Sequence, residues 1–250
     1  MSTYASFQGR VYLGKRDIAG LPIEVRSPGN VAELKLSLKT DVLEHYESQT
    51  GQRTLDHRMV KQKSATVNLT IEEFTKENLA LALYGTHVVG TPGTVTQEPV
   101  GGVTPVVGDR YFLAHPKVAS LVVTDSAGTP ATLTAGTHYT ADLDFGAVQF
   151  LDTIGFTAPF KASYAYGVAT EIGIFTQALP ERYLRMEGIN TAQGNAKVLV
   201  ELYRVAFDPL KEISFISDEY NKFELEGSLL ADSTKPFDAV LGQFGRIVQL

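Results

Sequence analysis

Polar and apolar positions along this chain repeat mostly with a period of two. From Glu33 to Lys39 the order Glu-Leu-Lys-Leu-Ser-Leu-Lys puts Leu34, Leu36 and Leu38 on one face. Glu33, Lys35, Ser37 and Lys39 fall on the other. Strand side chains alternate between faces, so this segment predicts a half-buried β-strand. The pattern returns at Ala65, Val67, Leu69 and Ile71, with Thr66, Asn68 and Thr70 opposite. Val198, Val200 and Leu202 form a third row, with Glu201 between them, and Phe223, Leu225 and Gly227 a fourth. Phe7–Leu13, Tyr183–Glu187 and Arg246–Leu250 are weaker strands of the same kind. The clearest helix is Thr75 to Tyr84: Thr75 caps it, Glu77 sits in its first turn, Leu79 and Leu83 lie four apart, and Gly85 stops it. Asp208 to Ile213 is expected to add a helical turn. The predicted fold class is mainly β.

After the helix the pattern breaks. Gly90 to Gly108 is nearly all Gly, Pro, Thr and Val, with Glu98 its lone charge, and reads as a linker over 91–108. Short strands then follow closely: Arg110–Leu113, Val118–Thr124, His138–Ala141, Ala147–Leu151 and Phe160–Tyr166. The turns between them carry Gly and Asp at the expected places. This predicts a small β-sandwich over 109–167, inserted into a host domain made of 1–90 and 168–250 whose halves must pair.

Composition narrows the function classes. The chain has 250 residues, 22 basic against 28 acidic, and a net charge of -6. Affinity for nucleic acid comes mainly from clustered Lys and Arg, so a dedicated phosphate binder is disfavoured. Zero cysteine removes disulfides, thiolate zinc sites and thiol nucleophiles together. No apolar run reaches the ~18 residues of a membrane span, and Met1-Ser2-Thr3-Tyr4 lacks a signal-peptide pattern.

Candidate chemistry is sparse. His45, His57, His87, His115 and His138 have no metal-motif spacing. Asp142-Leu-Asp144-Phe-Gly146 resembles the start of a calcium loop, but no glutamate stands where the bidentate ligand belongs, and a β-turn explains it better. Gly85-Thr-His-Val-Val-Gly90 has phosphate-loop glycine spacing, yet Thr91 and Pro92 replace the required Lys and Ser/Thr. Asp218-Glu219 and Glu224-x-Glu226 read as a solvated face rather than a catalytic pair. The expectation is no enzyme, no cofactor and no metal.

Thr40 to Ser64 is the more informative segment. It joins two strands that look like hairpin neighbours, through about 25 residues instead of the usual two to five or so. Its charges are sorted. Asp41, Glu44 and Glu47 occupy the outgoing arm, and Arg53, Arg58, Lys61 and Lys63 the returning one, with Asp56 the lone acid there. Tyr46, Leu55 and Met59 add apolar contact points. One reading is a hairpin whose arms neutralise each other in water. The other is a protruding arm that docks on a second subunit, where sorted charge fixes register.

The host segments resemble the major tail tube protein of long, non-contractile-tailed bacteriophages. The resemblance is carried by Gly29-Asn-Val-Ala-Glu-Leu-Lys-Leu-Ser-Leu38, Glu44-His-Tyr-Glu-Ser-Gln-Thr-Gly-Gln-Arg53 and Phe74-Thr-Lys-Glu-Asn-Leu-Ala-Leu-Ala-Leu-Tyr-Gly85. In the second half Val200-Glu-Leu-Tyr-Arg204, Phe207-Asp-Pro209 and Phe223-Glu-Leu-Glu-Gly227 continue it. The insert, through Leu121-Val-Val-Thr-Asp125 and Gly136-Thr-His-Tyr139, resembles immunoglobulin-like decorations of phage tail proteins. The resemblance implies a β-sandwich or barrel protomer with a flanking helix. It implies homo-hexameric rings that stack into a tube, with DNA passing through the lumen without specific binding.

It further implies a tape measure protein, a tail terminator and distal tail or baseplate proteins as partners. The location would be the virion tail, assembled in the host bacterial cytoplasm. The contact arm between rings would hold Asp41, Glu44, Tyr46, Glu47, Arg53, Asp56, Arg58, Lys61 and Lys63. Lumen-facing residues would be Glu33, Lys35, Ser37, Lys39, Thr66, Asn68, Thr70 and Glu201, a set mixed in sign where tubes of this family tend to be negative. The tube of a phage-tail-like bacteriocin would share every one of these features. A carbohydrate-binding or adhesin β-protein is the competing class.

Overall fold

Strands make up 51% of the chain and helix 4%, so the fold is mainly β, as the alternation predicts. The computed structural model describes residues 4–236 and 242–250; Met1–Thr3, read above for a leader, and 237–241 lie outside the described residues. In chain order the elements begin with β1 (Phe7–Arg16), β2 (Pro22–Arg26), β3 (Val31–Tyr46), β4 (Leu55–Ile71), α1 (Lys76–Ala82) and β5 (His87–Val89). Then come β6 (Gly93–Val100), β7 (Arg110–Phe112), β8 (Val118–Thr124), β9 (Tyr139–Asp142), β10 (Ala147–Phe150) and β11 (Phe160–Tyr166). The chain ends with β12 (Thr170–Ile172), β13 (Glu181–Asn190), β14 (Ala196–Phe207), β15 (Phe223–Leu229) and β16 (Gly245–Gln249). It divides into two compact units, Met1–His87 with Ile172–Leu250, and Val88–Glu171.

In the discontinuous unit the strands run β2-β1-β13-β14-β15-β4-β3, with β16 added to β14. The two halves of the sequence do pair: β1 lies against β13 and β4 against β15. β14 pairs β13 along one edge and divides the other between two neighbours, β16 through Val198–Leu202 and β15 through Val205–Phe207. It therefore turns one sheet into two layers around a shared core. Val11, Leu13, Leu184 and Leu202 come from one side, and Val67, Leu69, Ile71, Phe223 and Leu225 from the other. Each fully buried side chain of this size contributes roughly 1.5–3 kcal/mol.

Leu81 and Ala82 bring α1 onto the same core. Seven residues are too few for an independent helix, so its ends are tied down. Thr75 accepts at its hydroxyl from the Asn78 amide at 3.2 Å, the expected cap. The buried Asn78 side chain donates to the carbonyls of Pro28 (2.7 Å) and Glu73 (2.8 Å) and accepts from Arg26 at 2.8 Å. The turn expected at Asp208–Ile213 is not helical. Leu210 donates its amide to the Ala82 carbonyl at 2.8 Å, which fixes it to α1, and Ile213 packs on the core without a helical repeat.

The second unit is a small sandwich of two three-stranded sheets, β7-β10-β9 and β6-β11-β8. Val148, Phe150 and Tyr139 from the first share a core with Val100, Val123 and Phe160 from the second. Five of its strands lie where turn chemistry places them. The linker over 91–108 is corrected by β6, which pairs with β11 from Gly93↔Tyr166 to Val100↔Phe160. Its Thr and Val are strand formers, and Pro99 is tolerated because β6 is the edge strand of its sheet. β5 and β12, where the chain leaves and returns, pair as a ribbon, with the Gly90 amide donating to the Ala169 carbonyl at 2.8 Å.

Candidate functional site

β3 and β4 form one hairpin that stays paired far beyond the core. Its outer half pairs Thr40↔Lys63, Val42↔Val60, Glu44↔Arg58 and Tyr46↔Leu55, so the segment expected as a long connection is a two-stranded ribbon. A bulge sets Asp41 opposite Gln62 and Val42 opposite Val60, leaving Lys61 as the extra residue. The tip is closed by the Glu47 amide donating to the Thr54 carbonyl at 2.9 Å. Gly51, at φ 78°, supplies the left-handed backbone that this turn needs.

The sorted charges divide unequally. Asp56 takes a 2.6 Å contact from His45 Nδ1, which holds its carboxyl below the usual range. Glu44 lies 3.7 Å from Arg58 across the ribbon and accepts from the Tyr46 hydroxyl at 3.1 Å, pushing the Tyr46 phenol up. Asp41 meets Lys39 on its own strand at 3.4 Å. Glu47 is bound into the tip, accepting from the Thr50 hydroxyl and from the amides of Gln49 (2.8 Å) and Thr50 (2.9 Å). The Thr50 hydroxyl is the main reason its carboxyl is pushed down to about 2. All four acids are thus occupied within the hairpin. Of the bases only Arg58 is; Arg53, Lys61 and Lys63 have no ion pair or side-chain hydrogen bond among the described residues.

At the base of the hairpin, register aligns a polar outer face across three strands. Glu33, Thr70 and Glu224 form one row, Lys35, Asn68 and Glu226 the next, and Ser37, Thr66 and Ser228 a third. Glu33, Lys35, Ser37 and Lys39 are exposed, while Thr66, Asn68 and Thr70 are half-buried. Glu224 and Glu226 add two acids to this mixed face, where the sequence pattern placed them only on a solvated one. The alternation of Phe223, Leu225 and Gly227 was the available signal. The segment Leu210–Asn221 borders the same face, with Lys211 on Glu226 at 2.7 Å and Lys222 on Glu72 at 3.5 Å.

Leu36 and Leu38 correct the half-buried reading of β3. Leu38 is 77% exposed because β3 is the outermost strand and runs past the residues that could cover it.

Glu201 is a second correction. Expected on a lumen surface with Lys35 and Asn68, it is only 6% exposed, on β14 away from that face. Tyr183 donates to it at 2.6 Å, Arg185 at 3.1 Å and Arg246 at 2.5 Å. Burial opposes its ionisation, yet these donors hold its carboxyl below the usual range. The same burial, followed by the hydrogen bond to Glu201, pushes the Tyr183 phenol up to about 12. The cluster staples β13, β14 and β16 together.

Among the described residues no three His, Asp or Glu converge as a metal set, and no helix is long and apolar enough to cross a membrane. The geometry offers surfaces for another macromolecule: a charge-sorted ribbon, a polar sheet face of mixed charge and open edge strands. No curated protein matches the chain. A family model does, over residues 4–248, and the chain belongs to that family, described as "Protein of unknown function UCP028589".

Proposed function

We propose that this protein is the structural subunit of a phage-type tail tube, with hexameric rings stacking into a hollow conduit for DNA. The observation that carries this reading is the β3–β4 hairpin. Its outer half is exposed throughout β4 and, apart from half-buried Asp41 and Val42, along β3, and it keeps three unpaired bases among the described residues. An isolated two-stranded ribbon is at best marginally stable in water, so an arm of this length implies a partner surface. The path of the sheet ends in β2 and β3, each of which leaves one edge unpaired. Open edges are an aggregation liability that closure into a ring abolishes. The resemblance of the host segments to tail tube proteins supplies the specific assembly.

In this reading the arm contributes Asp41, Glu44, Tyr46, Glu47, Arg53, Asp56, Arg58, Lys61 and Lys63 to contacts between rings, the acids mainly by ordering it. Glu33, Lys35, Ser37, Lys39, Thr66, Asn68 and Thr70, joined by Glu224 and Glu226, face the lumen. Six copies multiply a net charge of -6 sixfold, so phosphates slide past. No cofactor or catalytic step is involved. Tape measure, terminator and distal tail proteins are the expected partners, and the virion tail the expected location. Electron microscopy of concentrated, negatively stained protein should show rings or tubes. Isolated particles at every concentration would reject the tube and favour a monomeric adhesin-like protein.

A further inference from the structure

The arm and the segment between β14 and β15 carry opposite halves of one contact. Along Asp208–Lys222, Phe215 is 80%, Ile216 96% and Tyr220 98% exposed. Large apolar side chains grouped on one short segment mark an interaction surface rather than random exposure. The two lysines here are committed to Glu226 and Glu72 within the chain. Glu212, Asp218 and Glu219 have no ion pair or side-chain hydrogen-bond partner among the described residues. The free surface of this loop is therefore apolar and acidic. The free surface of the arm is apolar and basic: Leu43, Met59 and Val60 are exposed beside the unpaired Arg53, Lys61 and Lys63.

The outer arm lies beyond the reach of this loop in its own protomer. The loop borders Glu33, Lys35, Asn68 and Thr70 at the base of the hairpin. At about 3.4 Å per strand residue, Leu43 lies ~27 Å beyond Lys35, and the tip further still.

We propose that the arm of one copy docks on the Phe215–Tyr220 loop of the next, with Lys61 and Lys63 facing Glu212, Asp218 and Glu219. The inference rests on the tube reading and names the acceptor of its arm. Donor and acceptor sit at opposite ends of the same hairpin, so the contact is heterologous. Such a contact propagates along an axis instead of saturating in a dimer. Apolar residues supply the adhesion, and the charges fix register and suppress wrong pairings.

The chain has no cysteine, so Met59→Cys and Ile216→Cys proteins can each carry one unique thiol. Mixed, assembled and treated with a short bis-maleimide, they should yield peptides joining position 59 to position 216, and these should be absent from unassembled protein. Separately, Lys61→Glu with Lys63→Glu should lower sedimentable polymer roughly tenfold through loss of sixfold-repeated pairs. Adding Asp218→Lys and Glu219→Lys to that protein should restore it. Tubes that form without the joined peptide, or a charge swap that fails to rescue, overturn this contact and leave the tube intact. Wild-type protein that never assembles overturns both.

Discussion

β4 is one strand with two histories. Its inner half, Ala65–Ile71, alternates strictly between buried and half-buried residues, while every residue from Leu55 to Ser64 is exposed. The backbone pairing to β3 is continuous through both halves. Hydrogen bonding alone therefore decides neither burial nor stability here. The inner half is sandwiched: β15 pairs its second edge, and the opposite layer covers its apolar face. The outer half has one neighbour, and its ladder is open to water. A strand can be laid down by pairing and still remain unfinished until another surface covers it.

Removing core side chains should give the largest difference between the two halves. Phe223 and Leu69 are essentially inaccessible to solvent. Phe223→Ala is expected to cost about 3–5 kcal/mol and Leu69→Ala about 2–5 kcal/mol in denaturant unfolding. Met59→Ala, on the same strand as Leu69, should change monomer stability by less than about 0.5 kcal/mol. A comparable loss at Met59 in the free monomer would mean that the arm folds onto its own protomer, and the contrast would collapse.

Hydrogen exchange reads the same boundary. Amides of Leu55–Ser64 should exchange through local opening in the monomer, and those of Ala65–Ile71 only near the global limit. Assembly should raise protection in the outer half while leaving the inner half unchanged. Equal protection of both halves in isolated monomer would show that the arm needs no partner.

The boundary also explains what the sequence could disclose. Alternation at Ala65–Ile71 and Phe223–Gly227 marks one apolar face per strand, and those faces do form the core. The same alternation at Leu36 and Leu38 is just as clean, yet both are exposed. Period two tells which side chains share a face; it carries nothing about what lies opposite. β6 was hidden for another reason, since Gly93 and Pro99 read as breakers when they bracket an edge strand. Asp218 and Glu219 read correctly as solvated, but the commitment of Lys211 and Lys222 elsewhere depends on tertiary ion pairs. The Glu201 cluster joins Tyr183 and Arg185 of β13 and Arg246 of β16 to β14, residues 16 to 45 positions away in sequence. The only local hint was an acid inside the apolar run Val198–Leu202.

Buried and exposed charges should repeat the contrast on a smaller scale. Glu201→Ala leaves Arg185, Arg246 and the Tyr183 hydroxyl without their shared acceptor, and should cost about 1–3 kcal/mol. Its arginine partners are partly exposed and recover water, which keeps the loss toward the lower end. Glu44→Ala removes an exposed pair with Arg58 and should cost no more than about 0.2–1 kcal/mol in the monomer. If the two substitutions were equal in thermal unfolding, the Glu201 cluster would not be the staple described above.

The smallest effect is at the tip and concerns pH. The Glu47 carboxyl, ordinarily near 4.5, is pushed down to about 2 by the Thr50 hydroxyl and the surrounding amides. A lowered folded value means that the tip binds its proton less readily than an open chain does. The ordering contributed by these bonds is therefore fully present above pH 4.5 and fades as pH falls through about 2. The Thr50 amide resonance should titrate with that low midpoint, while Glu47→Gln should abolish the titration and loosen the turn at every pH. Because Glu47 bonds only within the tip, global stability should barely respond, and any change belongs to the presentation of Arg53 on the same turn. A midpoint at the ordinary carboxylate value would show that the tip is not preorganised before it meets a partner.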